Sequence, residues 1–370
     1  MKRTIVVSGV NMIDGGALTV IKDCALCLSK DYFADSYKIV FLVHKKDLMP
    51  VCENIEYIEF PKSKSHYFYR LYYEYWLFNK LSKRLRPFLW LSLHDTSPRV
   101  HAMKQAVYMH NPTPFYKPKF NDWRFIPKNA IWAYIYKYLY RINIHSNNYL
   151  VVQQCWLRDE FSKMFNFSPK RIIVARPQEQ VTPSDLPTKY NPREKYLFFY
   201  PAFPRVFKNF EVICEAANLL GKKYSNKIKI VLTIDGSENS YSKYIFQKYS
   251  NNELLDFRGF ISLSEMKEWY KRTDCLLFPS RLETWGLPIS EFKPLKRPMI
   301  VADFPYAKET AAGAEFVAFF NPESPEELAD KMRALVDGDR SIFTNIPNIY
   351  PNQPTSSSWK ELFKILLEDE

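Results

Sequence analysis

At 370 residues, with 46% hydrophobic and 25% charged residues, the chain is long enough for two packed domains and has an ordinary globular composition, not a disordered one. No apolar run approaches the roughly 18–20 residues that cross a bilayer, and the N-terminus enters strand-like sequence with no signal-peptide pattern, so a cytoplasmic location with reduced cysteines is expected. The net charge of +12 calls for an anionic partner, and no nucleic-acid-binding motif accompanies it.

Thr4–Ser8 reads as a first strand, followed by a turn at Asp14-Gly-Gly-Ala17 and a helix near Leu18–Leu28. Cys24 and Cys27 form a C-x-x-C within that helix, and with no second pair they read as small core residues. Further strand-like runs fall at Tyr37–Val43, Ile55–Phe60, Leu89–Leu93, Ala106–Met109, Tyr149–Val152 and Arg171–Ala175. Basic and aromatic residues interleave at Tyr67–Trp90 and Trp123–Tyr140. That pattern suits either an anionic membrane surface or a buried aromatic helix with a solvated basic edge.

The proline-rich, polar stretch Arg176–Glu194 reads as a linker. A second alternating series follows: strand Lys195–Tyr200, helix Phe210–Leu220, strands Ile228–Ile234 and Leu255–Phe257, helix Ser264–Arg272, strands Cys275–Phe278 and Met299–Ala302, and helix Pro325–Val336. A last helix spans Ser356–Leu367. Strands alternating with helices predict two α/β, Rossmann-like domains with parallel sheets facing a central cleft and ligands at the strands' C-terminal ends. The expected boundaries are 1–185, 186–350, and a C-terminal helix at 351–370 that packs back toward the N-terminal domain.

The residues with chemistry gather at these strand ends. Arg205 and Lys208 follow the first strand of the second series, three positions apart, and pair a planar fork with a compact ammonium, as a diphosphate clamp requires. Glu283 and Glu291 flank a turn containing Gly286 and Pro288, just after the apolar strand Cys275–Phe278. Carboxylates beside free backbone N–H groups at a helix start suit sugar hydroxyls next to phosphate. Gly15-Gly16 permits close backbone approach in the first domain. His94 and His110 each end an apolar strand and are expected to face the cleft; His44, His66, His101 and His145 have no convergent context. Asp337-Gly-Asp339 reads as a turn, and no ligand spacing points to a metal.

Arg205-x-x-Lys208-Asn209, Asp235-Gly236, Phe257-Arg-Gly-Phe-Ile261, Pro279-Ser280, Glu283-x7-Glu291, Pro298 and Glu309 occur in this order. As a set they resemble the C-terminal half of the retaining family 4 glycosyltransferases, which have the GT-B fold. In the first half, Asp14-Gly-Gly, Ser92-Leu-His-Asp95 and Tyr108–Tyr116 resemble a bacterial subgroup that builds surface polysaccharides such as O-antigen or capsule. The resemblance implies that Arg205 and Lys208 neutralise the donor diphosphate, Glu291 accepts hydrogen bonds from the ribose, and Glu283 contacts the transferred sugar. It further implies that the amides of Thr284, Trp285, Gly286 and Leu287 support sugar and phosphate, and that Arg258, Gly259 and Phe260 border the base. Gly16 would approach the phosphates, His110 or His94 would face the sugar, and His94, Asn111 and Tyr116 would lie on the acceptor side.

The expected activity is therefore metal-independent, retaining transfer of a hexose from a nucleotide-diphosphate sugar, with no cofactor, to an oligosaccharide acceptor that is lipid-linked. The inner face of the cytoplasmic membrane is the expected place of work. Alternatives are a sugar phosphorylase or another enzyme of the same fold, and a non-catalytic sugar- or nucleotide-binding module. Two departures from the family pattern concern geometry: Pro294 should kink or shorten the helix behind Glu291, and Lys296 stands where a glycine is usual.

Overall fold

The computed structural model describes residues 2–177 and 194–368. The expected boundary at 185/186 and most of the proposed linker lie outside the described residues. Among the described residues there are fourteen strands: β1 (Arg3–Ser8), β2 (Tyr37–Val43), β3 (Ile55–Glu59), β4 (Leu89–Ser92), β5 (Lys104–Tyr108), β6 (Tyr149–Val152), β7 (Ile172–Ala175), β8 (Tyr196–Tyr200), β9 (Ile228–Leu232), β10 (Leu255–Phe257), β11 (Cys275–Phe278), β12 (Met299–Ala302), β13 (Val317–Phe320) and β14 (Thr355–Ser356). They form two parallel sheets, ordered β14-β7-β6-β5-β4-β1-β2-β3 and β10-β9-β8-β11-β12-β13.

Burial on both faces explains the near-continuous apolar strands. β4 and β11 are buried at every position. Along β1 the side chains alternate between faces: Ile5 and Val7 join a core with Ile21, Cys24 and Leu28, whereas Val6 packs with Tyr73, Phe78 and Trp90.

The chain divides into two compact units. One comprises residues 2–114, 134–177 and 351–368; the other comprises 115–133 and 194–350. In the first, β14 pairs with β7, and Leu362, Phe363 and Leu366 of helix Trp359–Leu367 join the same core as helix Gly15–Leu28. The segment 115–133 corrects the expected partition, because it packs within the second unit. Phe125 lies edge-on to Tyr241, Asn121 donates to Glu211 at 2.8 Å, and Lys119 pairs with Glu323. β13 also lies outside the predicted strands; it pairs in register with β12 along Val317–Phe320.

Candidate active site

In the second unit the chain runs from β8 outward to β9 and β10, then returns to β11 on β8's other side. The loops after β8 and β11 therefore leave neighbouring strand ends at the topological switch point, where open α/β sheets bind ligands. From these loops Lys208 Nζ donates to Glu283 Oε1. The two side chains keep 18% and 15% of their surface exposed, so the pair is largely desolvated yet reachable. Arg205, just before the short 3-10 turn Val206–Lys208, is exposed, with no side-chain hydrogen bond or ion pair to another described residue.

Several supporting residues had no assigned role in the sequence reading. Tyr200 Oη donates to the Lys208 carbonyl at 2.7 Å, and Tyr306 Oη donates to the Ser280 carbonyl at 2.5 Å. Burial, and then the negative Glu283, pushes both phenols well above their ordinary range, so both remain neutral donors. Asn209 is buried in a left-handed conformation (φ 60°), and its amide donates to the carbonyls of Pro322 at 2.8 Å and Pro279 at 3.4 Å. It thus ties together the loops after β8, β11 and β13. An asparagine directly before an apolar helical run is the sequence signal for such a residue. Arg281 donates from its backbone N–H to the Phe207 carbonyl at 2.8 Å and from Nε to Glu323 at 3.0 Å.

Glu291 lies on the short helix Leu287–Phe292, where its Oε2 accepts from Tyr270 Oη at 2.8 Å. Gly286 precedes that helix at φ 92°, a conformation that favours glycine. Trp285 is anchored by Nε1 to Ser290 Oγ at 3.1 Å and by its carbonyl to Thr310. Thr284 is half-buried and Leu287 exposed. Behind Glu291 the α-helix stops at Phe292, a 3-10 turn spans Lys293–Leu295, and Lys296 is left-handed at φ 51°. Pro294 explains the stop, since its ring has no N–H to continue the ladder.

Arg258 is occupied locally, donating to Asp256 at 2.9 Å and lying over the Trp269 ring at 5.7 Å. Gly259 has φ 72°, and a Cβ there would meet Asp235 Oδ2 at 2.7 Å. The neighbouring Phe260 is 83% exposed. Hydrogen bonds thus join Lys208 to Glu283 and Tyr270 to Glu291, whereas Arg205 and Arg258 bond neither acid.

The first unit has its own switch point, between β1 and β4. Gly16 is exposed on helix Gly15–Leu28, and a Cβ there would meet nothing within 4 Å. His94 departs from its expected open position. It is 5% exposed, with Nε2 3.0 Å from Ser8 Oγ and Nδ1 3.1 Å from Thr96 Oγ1 and 3.2 Å from Glu74 Oε1. His110 stacks on Tyr108 with ring centroids 4.0 Å apart, and its Nε2 is buried with no hydrogen-bond partner among the described residues. Burial, with His94 nearby, lowers its pKa to about 3, so the imidazole is neutral at physiological pH. Asn111 donates to Tyr140 Oη at 2.8 Å and accepts from the Thr113 N–H at 3.0 Å. Tyr116 belongs to the second unit, which corrects its placement on the first domain: it donates to Asp122 at 2.7 Å and packs edge-on against Phe207, next to Lys208.

Comparison with known proteins agrees with this architecture. Residues 186–344 match the family described as glycosyl transferases group 1. The O-antigen chain mannosyltransferase RfbU of Salmonella typhimurium is 25% identical over 268 residues, covering 71% of this chain and 69% of RfbU. A glycosyltransferase from Rickettsia africae superposes with a TM-score of 0.62 at 15% identity, covering 91% of this chain and 88% of that one. The lipopolysaccharide outer core galactosyltransferase WaaB superposes with a TM-score of 0.61 at 12% identity, covering 92% and 91%. HepE of Anabaena, solved in complex with UDP, superposes at 0.58 with 11% identity, covering 92% of each chain. Residues 186–344 thus form a group 1 glycosyltransferase domain, and the two parallel sheets have the GT-B fold.

Proposed function

We propose that the protein transfers a hexose, with retention of configuration, from a nucleotide-diphosphate sugar to a lipid-linked oligosaccharide during bacterial surface-polysaccharide synthesis. The observation that carries this reading is the Lys208–Glu283 pair at the switch point of the family-matched domain. Glycosyl transfer builds positive charge at the anomeric carbon and negative charge on the departing diphosphate. Lys208 and Arg205 meet the negative charge with cations already in place, so the reaction needs little reorganisation and no metal ion. Glu283, beside Lys208, would hold a hydroxyl of the transferred sugar. Glu291, braced by Tyr270, is available to the ribose hydroxyls. No carboxylate is assigned as a nucleophile, so front-side attack assisted by the leaving phosphate is the favoured route to retention.

The O-antigen mannosyltransferase relative supports the polymer class, and the HepE complexes with UDP and UDP-glucose support a nucleotide-sugar donor. A membrane-bound acceptor is supported by the surface. On and just beyond helix Pro127–Arg141, Ile131, Tyr134, Ile135, Tyr138 and Ile142 are exposed at helical spacing, with Lys128, Lys137 and Arg141 among them. Phe68, Tyr72 and Trp76 are exposed at four-residue intervals, followed by Lys80, Lys83 and Arg84. Such mixed stripes suit an anionic bilayer surface. Among the described residues no helix is long and apolar enough to cross a membrane. Peripheral attachment to the inner face of the cytoplasmic membrane is therefore part of the proposal.

The test is incubation with UDP- and GDP-hexoses and a lipid-linked oligosaccharide in EDTA, with the product's anomeric configuration read by NMR. Product with retained configuration, lost in Lys208→Ala, supports the reading. Sugar phosphate formed only with added inorganic phosphate identifies a phosphorylase instead. Nucleotide binding without turnover identifies a binding module.

A further inference from the structure

At the switch point of the first unit, a buried ion pair stands behind the turn that carries His110. Arg70 and Glu74 lie four residues apart on the run from helix Tyr67–Tyr72 into the π-helical turn Tyr73–Leu77. π-turns are rare and concentrate at functional positions. Here the turn leaves the Glu74 carbonyl to accept from the Arg99 N–H at 3.1 Å. Glu74 is 0% exposed, and its Oε1 accepts from Arg70 Nε at 2.9 Å and faces His94 Nδ1 at 3.2 Å. Burial alone would keep such a carboxyl protonated, yet Arg70 and His94 hold it near 2, so it is a charge in the interior.

The contacts then lead outward. Arg70 Nη2 donates to the His94 carbonyl at 2.8 Å and to Thr96 Oγ1 at 3.2 Å. His94 Nε2 meets Ser8 Oγ at the end of β1. Between His94 and Thr96, Asp95 adopts φ 67°, an unfavourable conformation for a non-glycine residue. Such a conformation persists where the surroundings over-determine it. The Asp95 carboxylate accepts from the N–H groups of His110 at 2.5 Å and Asn111 at 2.9 Å.

We propose that Arg70, Glu74 and His94 form a positioning unit: they lock the 94–96 turn so that Asp95 holds the backbone of His110 and Asn111, and through it the His110 ring. A buried ion pair is weak evidence for stability, since apolar residues of similar volume often do as well or better. Geometry is therefore the better account of this one. What the positioning serves rests on the reading that His110 faces the transferred sugar.

The test is the double variant Arg70→Met, Glu74→Met, which removes both charges at similar volume. Its melting temperature should stay close to wild type, while amide hydrogen exchange at residues 110–111 speeds by about tenfold or more. Arg70→Lys keeps the charge but loses the fork, and covers the case in which the double variant does not fold. It should raise exchange at the same amides by a few-fold. Unchanged protection at 110–111 in either folded variant overturns the proposal. Turnover is measured alongside, with His110→Ala as reference. Faster exchange with kcat lowered about tenfold and donor KM nearly constant supports both the positioning and the sugar-facing reading. Faster exchange with wild-type kcat supports the positioning alone and rejects the role given to His110.

Discussion

Lys208 Nζ donates to Glu283 Oε1 between loops that leave the adjacent strands β8 and β11, joining residues 75 positions apart. The pair couples the cation proposed to meet the diphosphate to the acid proposed to hold the sugar, so each residue fixes the other's place. Lys208→Ala is expected to lower kcat by about 10²–10³-fold, the range for removing one preorganised electrostatic partner. Arg205→Ala should also cut turnover strongly, but with little effect on folding because its side chain is exposed. Steady-state kinetics and thermal unfolding of both variants separate these effects. Near-normal rates in both remove the clamp.

Acid should destabilise the first unit in two stages. His110 titrates near 3 in the folded chain against an ordinary 6.5, so below about pH 6.5 protons bind preferentially to the unfolded chain. The stability is full above that pH and falls as pH drops, at up to about 1.4 kcal/mol per pH unit. Glu74, near 2 against an ordinary 4.5, adds a second loss of the same sign below about pH 4.5. Urea midpoints from pH 7.5 to 4.5 should therefore decline in wild type and stay flatter in His110→Gln. An equal decline in the variant contradicts a buried neutral imidazole.

The helix behind Glu291 offers a backbone test. Lys296 holds a left-handed conformation and pairs with Glu315 at 2.7 Å on an exposed surface. Replacing it by glycine removes the left-handed strain of a non-glycine residue at the loss of one solvent-exposed ion pair, which contributes little. Lys296→Gly should thus be neutral to slightly stabilising in denaturant titrations. Gly286→Ala, at φ 92°, should instead cost about 1–3 kcal/mol. Because Gly286 sits between Glu283 and Glu291, turnover should fall with it.

These positions also mark what the sequence could convey. Strands such as Cys275–Phe278 were legible because burial on both faces imposes continuous apolar runs, and Pro294 announced the helix end at Phe292. Arg205, Lys208, Glu283 and Glu291 could be placed at strand ends from spacing alone. The direct Lys208–Glu283 bond could not, since it depends on β8 and β11 being neighbours. Segment 115–133 was assigned to the wrong unit because its partners, Glu211 and Tyr241 among them, lie far along the chain. His94 looked free for the same reason. Its neighbour Glu74, 3.2 Å away, sits in an aromatic run where nothing local marks a buried charge.

The proposed membrane attachment makes a prediction separable from chemistry. Ile135 and Tyr138 belong to the exposed stripe of helix Pro127–Arg141 and lie outside the loops that carry Lys208 and Glu283. Changing both to glutamate replaces apolar contact with charge that an anionic surface repels, at roughly 1 kcal/mol per charge near the bilayer. Wild type should sediment with phosphatidylglycerol-containing vesicles at low salt, and less with phosphatidylcholine alone or at high salt, where screening shortens the attraction. Ile135→Glu, Tyr138→Glu should lose most of that binding while keeping its rate on a water-soluble acceptor analogue. Binding that survives the substitutions removes this helix from the attachment surface. Failure of wild type to bind anionic vesicles removes the attachment itself, leaving the reaction assigned to Lys208 and Glu283 untouched.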